Sequence, residues 1–226
     1  MGFVKFIIIF SVITGSICVQ ANEWQLAEEG FGIKVFQKDI PSSPLDRVRA
    51  ESVIQADIQQ LALIMEDIES FSMWMFACID SKVVEQENGS NLKLYYVHET
   101  PWPYKNRDVV LDIKSSRDNQ VNWLKVDMNS INSDYAPNSN LVRMESMQGS
   151  WYFKKIADNL TSVEFELYVD PAGNVPFPFV NSGNVNVVFE TFKGLKRKAN
   201  SQAFMQEVEA QESQTMEKAL IDSGVM

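Results

Sequence analysis

The chain has 226 residues, enough for one sizeable domain around a single core. Hydrophobic residues make up 45% and charged residues 22%, a globular balance that excludes bulk disorder. The formal charge of −10 sets the chain against nucleic acid and against electrostatic adhesion to an anionic surface.

Met1–Ala21 reads as a secretory leader. Lys5 supplies a weak positive n-region, and Phe6 to Ile17 is apolar apart from Ser11, Thr14, Gly15 and Ser16. Val19-Gln20-Ala21 offers the cleavage site. The run is shorter than the roughly 20 apolar residues of a spanning helix, which argues against a membrane anchor. Ile17 precedes Cys18 where lipidation expects a small residue, which argues against a lipoprotein. Cleavage removes Lys5 and Cys18 and leaves 19 basic against 30 acidic side chains, a charge of −11. Cys78 then stands alone, so no internal disulfide can staple the fold. Its apolar surroundings predict a buried thiol.

After the leader, Asn22–Glu29 is expected to form a short helical lead-in and Phe31–Lys38 a strand. Pro41-Ser42-Ser43-Pro44 marks a turn. In Arg47–Ile54, Val48, Ala50, Ser52 and Ile54 share one face and Arg47, Arg49 and Glu51 the other, the pattern of a half-buried strand. Asp57 and Gln60 have the spacing of a capping box. Ile58, Leu61, Ala62, Met65 and Ile68 then recur at helical spacing, followed by a Trp/Met/Phe-rich connection over Phe71–Phe76.

Strands dominate from Asp80 onward. Lys82–Glu87 and Leu92–Glu99 are joined through Asn88-Gly89, a hairpin signal. Arg107–Ser115 pairs with Val121–Asn129 across Arg117–Gln120, and Val142–Ile156 with Ser162–Val169 near Asp158-Asn159. Val163, Phe165, Leu167 and Val169 alternate with outward Glu164 and Glu166, as in an antiparallel sheet wet on one face. Asp170–Asn184, rich in Pro and Gly, reads as a loop. A long helix follows, with Val185, Val188, Phe189, Phe192, Leu195 and Ala199 in one stripe. Lys193, Lys196, Arg197 and Lys198 form a basic cluster on it. The division is a leader at 1–21, one domain at 22–205 and an acidic tail at 206–226, expected to fray. A curved antiparallel sheet with one amphipathic C-terminal helix is an α+β layout, and the stripe must bury on the concave face.

Several short motifs now carry a resemblance. They are Gly32-Ile33-Lys34-Val35-Phe36 on the first strand, His98-Glu99 before Pro101-Trp102-Pro103-Tyr104-Lys105-Asn106-Arg107-Asp108, and Gly149-Ser150-Trp151. Asp170-Pro171-Ala172-Gly173-Asn174-Val175-Pro176 completes the set. In order and spacing, from about Trp24 to Asn200, the chain resembles the START family, lipid-transfer domains related to steroidogenic acute regulatory protein, and especially its bacterial members. The resemblance implies a helix-grip fold, in which the sheet wraps the long helix around a tunnel for a sterol, phospholipid or other hydrophobic ligand. It implies no cofactor and no catalytic group, and it gives the C-terminal helix and nearby loops a gating role. With the leader it points to an exported protein of the bacterial periplasm.

Arg107 shares a strand face with Val109, Leu111 and Ile113, so its charge needs a fixed partner or a path to water. Family position makes Glu99 the matching acid, although Leu92, Leu94, Tyr96 and His98 form the more apolar face of that strand. Ile113 stands where some family members place a second arginine, which implies a smaller polar floor. Trp74, Phe76, Tyr96, Trp102, Trp123, Trp151 and Phe153 are candidate cavity walls, with Val188, Phe189, Phe192 and Leu195 on the lid side. Phe177 and Phe179 could dip into a bilayer or pack under the helix, and the basic cluster could meet phospholipid headgroups in a transient membrane contact. The competing reading is a polyketide cyclase or hydrolase of the wider helix-grip superfamily, whose acid–base groups would have to come from Glu99, His98, Tyr96 and Arg107. His98 is the one histidine and no nucleophile elbow accompanies it. One His and one Cys supply too few soft ligands for zinc.

Overall fold

The computed structural model describes residues 23–118, 120–135 and 139–201, together with 213 and 216. The expected leader, and the tail but for those two positions, lie outside the described residues. The chain opens with β1 (Gln25–Gly30), β2 (Ile33–Lys38) and β3 (Arg47–Ile54). Helix α1 (Ile58–Glu66), a 3-10 turn (Ile68–Ser70) and α2 (Phe71–Trp74) follow. Then come β4 (Cys78–Asn88), β5 (Asn91–His98), β6 (Arg107–Arg117), β7 (Trp123–Ser130) and the two-residue β8 (Val142–Arg143). The last elements are β9 (Ser146–Ala157), β10 (Leu160–Asp170) and α3 (Phe177–Ala199).

The strands make one sheet in the order β1-β2-β3-β10-β9-β7-β6-β5-β4, with β8 attached to β6. Every pair along that path is antiparallel, and β8 runs parallel to β6. A sheet this wide coils because each strand is twisted, and the coil gives it a concave face. Helix α3 crosses that face over β1, β2 and β3, while α1 lies over β7 and β9. This is the helix-grip arrangement expected from the sequence.

Period-two burial builds the core. Val163, Phe165, Leu167 and Val169 of β10 point inward, as do Trp151 and Phe153 of β9. The α3 stripe Val185, Val188, Phe189, Phe192, Leu195 and Ala199 is buried against them. The ring of Trp151 stacks on Phe165 at 4.1 Å and on Phe192 at 5.4 Å, joining sheet to helix. The capping box of α1 is formed: Gln59 N–H donates to Asp57 at 2.8 Å, and Asp57 N–H donates to Gln60 at 3.0 Å. Cys78 is buried, and burial pushes its thiol up to about 11.

Four expectations are corrected. The lead-in is a strand, because residues Gln25–Gly30 find open backbone groups on the edge of β2, with a bulge between Leu26 and Glu28. The connection after α1 is helical over Phe71–Trp74. The single strand expected over Val142–Ile156 breaks, since Met144 N–H turns to Asp108 O and Glu145 N–H to Asp170 O before β9 begins. Helix α3 starts at Phe177 rather than Val185. Pro178 sits in its first turn, where no intrahelical N–H is required, so the prolines that suggested a loop instead open a helix.

Asp108 and Val110 face away from Arg107, as their parity requires, yet both are buried. A second small core of Tyr95, Val97 and Val110, packed by Tyr135 and Leu141, covers the convex face there.

Candidate functional site: a tunnel with a buried cation

Three voids lie end to end between sheet and helices. The first, about 460 Å³, opens beside the β5–β6 loop and the start of α3. A neck of about 50 Å³ follows and shares Tyr96, Met147, Leu167 and Val187 with the first chamber. The second chamber, about 660 Å³, shares Phe71, Met75, Leu94 and Met128 with the neck. It reaches the far ends of β5, β6 and β7, where Ser90, Ser116 and Arg117 stand at its border. Both chambers fall within the size range of pockets that enclose drug-sized apolar ligands.

The polar end is built around Arg107, which is 3% exposed and lines the first chamber. Its Nε donates to Pro171 O and its Nη2 to Ala172 O, each at 3.3 Å, and Nη1 donates to Lys105 O. Ala172 and Gly173 both have positive φ, 58° and 72°, and this bend is what brings the Pro171 and Ala172 carbonyls to the guanidinium. Asp170 fixes the same turn by accepting from Ala172 N–H at 3.0 Å. Among the described residues no carboxylate pairs with Arg107. Burial therefore lowers its pKa, with only Tyr104 opposing. His98 shares the chamber, and burial together with the Arg107 charge drops its pKa to about 4. Burial likewise holds the Tyr96 phenol far above its ordinary value. Thr100 Oγ1 and Asn184 Nδ2 of this chamber's lining are buried and, among the described residues, have no hydrogen-bond partner.

The sequence-predicted residues separate into groups. Arg107 and Tyr96 are brought together in the first chamber, and Tyr96 reaches on into the neck. Glu99 stands at the chamber's rim but is exposed and does not meet Arg107, because backbone carbonyls already occupy the guanidinium. Trp102, 91% exposed, is also on the rim. Trp151 borders the neck. Trp123 is corrected: it sits on the convex face against Tyr152 at 6.5 Å, since buried Leu124, Val126 and Met128 take the inward parity of β7. Phe189 and Phe192 line none of these voids. Phe192 packs on Trp151, and Phe189 meets Phe31 at 6.4 Å. Thr100, Asn184, Met147 and Val187 escaped the sequence reading. For Asn184 the sequence carries a signal, its place one residue before the apolar stripe, which the Pro- and Gly-rich run ahead of it masks.

A family model described as START domain matches residues 14–201. The chain belongs to the START domain family. An uncharacterized protein of Pseudomonas aeruginosa is 28% identical to this START protein over 182 residues, spanning 79% of this chain and 88% of that one. START domain-containing protein 10 of mouse and of human is 23% identical over 176 residues, which covers 75% of this chain and 58% of those proteins. Among solved structures, a STAR-related lipid transfer protein fragment from Xanthomonas axonopodis superposes with a TM-score of 0.71 at 25% identity, covering 79% of this chain and 99% of that one. Human STARD10 superposes with a TM-score of 0.73 at 18% identity, over 84% of this chain and 78% of that one, which shows the shared fold. Membership in the START family supports hydrophobic-ligand binding as the general role.

Proposed function

We propose that this START domain extracts a membrane lipid and carries it with the headgroup at Arg107 and the apolar body in the tunnel. One observation carries the reading: a largely apolar tunnel ends on a buried cation that, among the described residues, has no carboxylate partner, beside two buried polar atoms that find no hydrogen-bond partner there. A buried donor cluster of this kind is complemented by ligand oxygens, and charge-assisted hydrogen bonds make phosphate or carboxylate oxygens the strongest fit. The walls offer little proton chemistry near neutrality, since His98 falls to about 4 and Tyr96 is pushed far up, which favours binding over turnover.

The mouth supports transfer. Trp102 is 91%, Phe76 42% and Phe179 44% exposed around it, with Phe177 on the same first turn of α3. Aromatic rims of this kind settle at the membrane–water interface. Among the described residues no helix is long and apolar enough to cross a membrane, so the contact is one of docking. Export by the leader, with the bacterial periplasm as destination, completes the proposal. Native mass spectrometry of protein fractionated from its own host tests it. A mature chain starting near Asn22 with one lipid bound is the expected result. Protein that stays ligand-free after incubation with phospholipid vesicles overturns it.

A further inference from the structure

The inward row of β6 starts and ends on arginine. Arg107, Val109, Leu111, Ile113, Ser115 and Arg117 share one parity of the strand. Arg107 lines the first chamber, Leu111 the neck, and Ile113, Ser115 and Arg117 the second chamber. Strand pairing agrees with the direction of Arg117, which stands opposite the buried Leu124 of β7. The tunnel therefore runs the whole of an 11-residue strand and has a guanidinium at each end.

The far end has a mouth of its own. Glu66 at the end of α1, Val83 and Gln86 of β4, and Ser90 in the β4–β5 turn border the second chamber and are exposed. Arg117 is exposed on the same rim, and among the described residues it makes no ion pair, with Glu66 or any other acid.

Length decides how such a tunnel is filled. At about 3.3 Å per residue, β6 spans about 33 Å from Arg107 to Arg117. The hydrocarbon core of a bilayer is about 30 Å thick, so the apolar part of a lipid from one leaflet is about 15 Å long. A lipid with its head at Arg107 therefore ends near the neck, where the free volume narrows to about 50 Å³. The second chamber, about 660 Å³ and the larger of the two, lies beyond its reach. An apolar chamber of that size calls for an apolar occupant of its own.

We infer that the second chamber is a separate binding site, entered by the far mouth, for an amphiphile with its anionic head at Arg117 and its tail directed at the neck. The inference rests on the lipid-carrier reading for the occupant of the first chamber. Two ligands then lie tail to tail, as lipids of opposed leaflets do. The head chemistry is an anionic oxygen of a carboxylate or a phosphate, since a guanidinium pairs with either. Because Arg117 is exposed, water screens that contact, and the apolar chamber supplies most of the affinity. Met65, Met75 and Met128 line it with unbranched side chains that repack around the tail.

The test counts ligands. Protein delipidated in its folded state is titrated with dodecanoate, dodecyl phosphate or uncharged dodecanamide, below their micelle-forming concentrations, and the bound molecules are counted by native mass spectrometry. Each chain matches one half of the tunnel. The wild-type protein should take up two molecules of either anion. In Val83→Trp, a plug at a rim position already 41% exposed, the count should fall to one. Arg117→Ala, also at an exposed position, tests the site independently of that plug. It should weaken the second binding step about threefold to fivefold for the anions, the worth of an exposed ion pair, and leave dodecanamide unchanged. Tighter binding of dodecanoate than of dodecyl phosphate at that step assigns a carboxylate head, and the reverse a phosphate. Saturation of the wild-type protein at one molecule, undiminished in Val83→Trp, overturns the inference and leaves the carrier reading intact. A second step that Arg117→Ala leaves unchanged for both anions overturns it as well. Uptake of no molecule of any of the three overturns the carrier reading and this inference together.

Discussion

Gly194 of α3 lies directly against the backbone of Trp74, so close that a Cβ at 194 would stand 1.8 Å from the Trp74 carbonyl oxygen and 2.9 Å from its carbon. That contact seats α2 under α3 and closes the side of the tunnel where Phe71 and Met75 form the wall. Two effects oppose one another in Gly194→Ala. Alanine favours a helix over glycine by about 1 kcal/mol. Backbone obstruction at this distance cannot be relieved by a rotamer change, and overpacking costs about 1–3 kcal/mol or more. The clash wins, so the variant should lose stability in denaturant melts and bind lipid less well. A variant as stable as the wild-type protein would show that the helices are not this close.

Arg107 is a brace as well as the proposed headgroup donor. Its guanidinium joins the start of β6 to the turn between β10 and α3 through Pro171 and Ala172. Arg107→Leu leaves those buried carbonyls without their charged donor, and each hydrogen bond to a charged group contributes about 1.5–3 kcal/mol. The variant should therefore be destabilised and should release its ligand. Because Glu99 is exposed and does not touch Arg107, Glu99→Gln should neither mimic that loss nor rescue it. The double variant should be additive within about 0.5 kcal/mol. A coupling well above that figure would place the two side chains in contact and contradict the geometry.

The fate of these residues shows what a sequence can reveal. The inward direction of Arg107 followed from strand parity, because Val109, Leu111 and Ile113 share its face. Its partners did not follow, since backbone carbonyls carry no residue signature and two of the three arrive from a turn 64 and 65 residues away. The place of Trp123 is legible in its neighbours: Lys125, Asp127 and Asn129 share its parity and mark the wet face, against which aromatic character alone is a poor guide to a cavity wall. The strand β1 had no clear alternation to announce it, because an edge strand is specified by the open backbone beside it. The tunnel's length was invisible for another reason. Core and cavity walls use the same side chains, and only packing decides which of them touch.

Asp108 and Arg143 form the buried ion pair of the convex side. Arg143 Nε and Nη2 donate to the two Asp108 oxygens at 2.9 and 3.0 Å, and Tyr95 OH adds a third donor at 3.2 Å. The Asp108 side chain is 4% exposed and that of Arg143 31%. The pair ties β6 to the segment before β9, since Arg143 also donates to Ser133 O at 3.1 Å. Arg143→Leu strands a buried carboxylate and should cost about 3–5 kcal/mol. Replacing both partners, as Asp108→Asn with Arg143→Leu, should recover part of that loss. Urea melts of the single and double variants measure it, and a single-variant loss below about 1 kcal/mol would mean the pair behaves as a surface bridge.

His98 makes stability depend on pH with a definite sign. Burial and the neighbouring Arg107 charge lower its pKa to about 4 in the folded protein, against an ordinary value near 6.5. Between those values the unfolded chain takes up a proton that the folded protein refuses. Stability is therefore full above about pH 6.5, falls as the pH drops below it, and stops falling on this account near pH 4. Burial raises the Glu164 and Asp46 carboxyls, which act with the opposite sign at the acid end, so the His98 contribution between roughly pH 4.5 and 6.5, about 2 kcal/mol, is read as the difference between the wild-type and His98→Gln curves. His98→Gln removes the titrating group and should flatten the curve in that window. The same variant should leave the slope below it, where carboxylates govern, unchanged. If wild-type protein and variant lose stability in parallel from pH 6.5 to 4.5, His98 is not held neutral beside Arg107, and the polar end of the tunnel is more open to water than its burial implies.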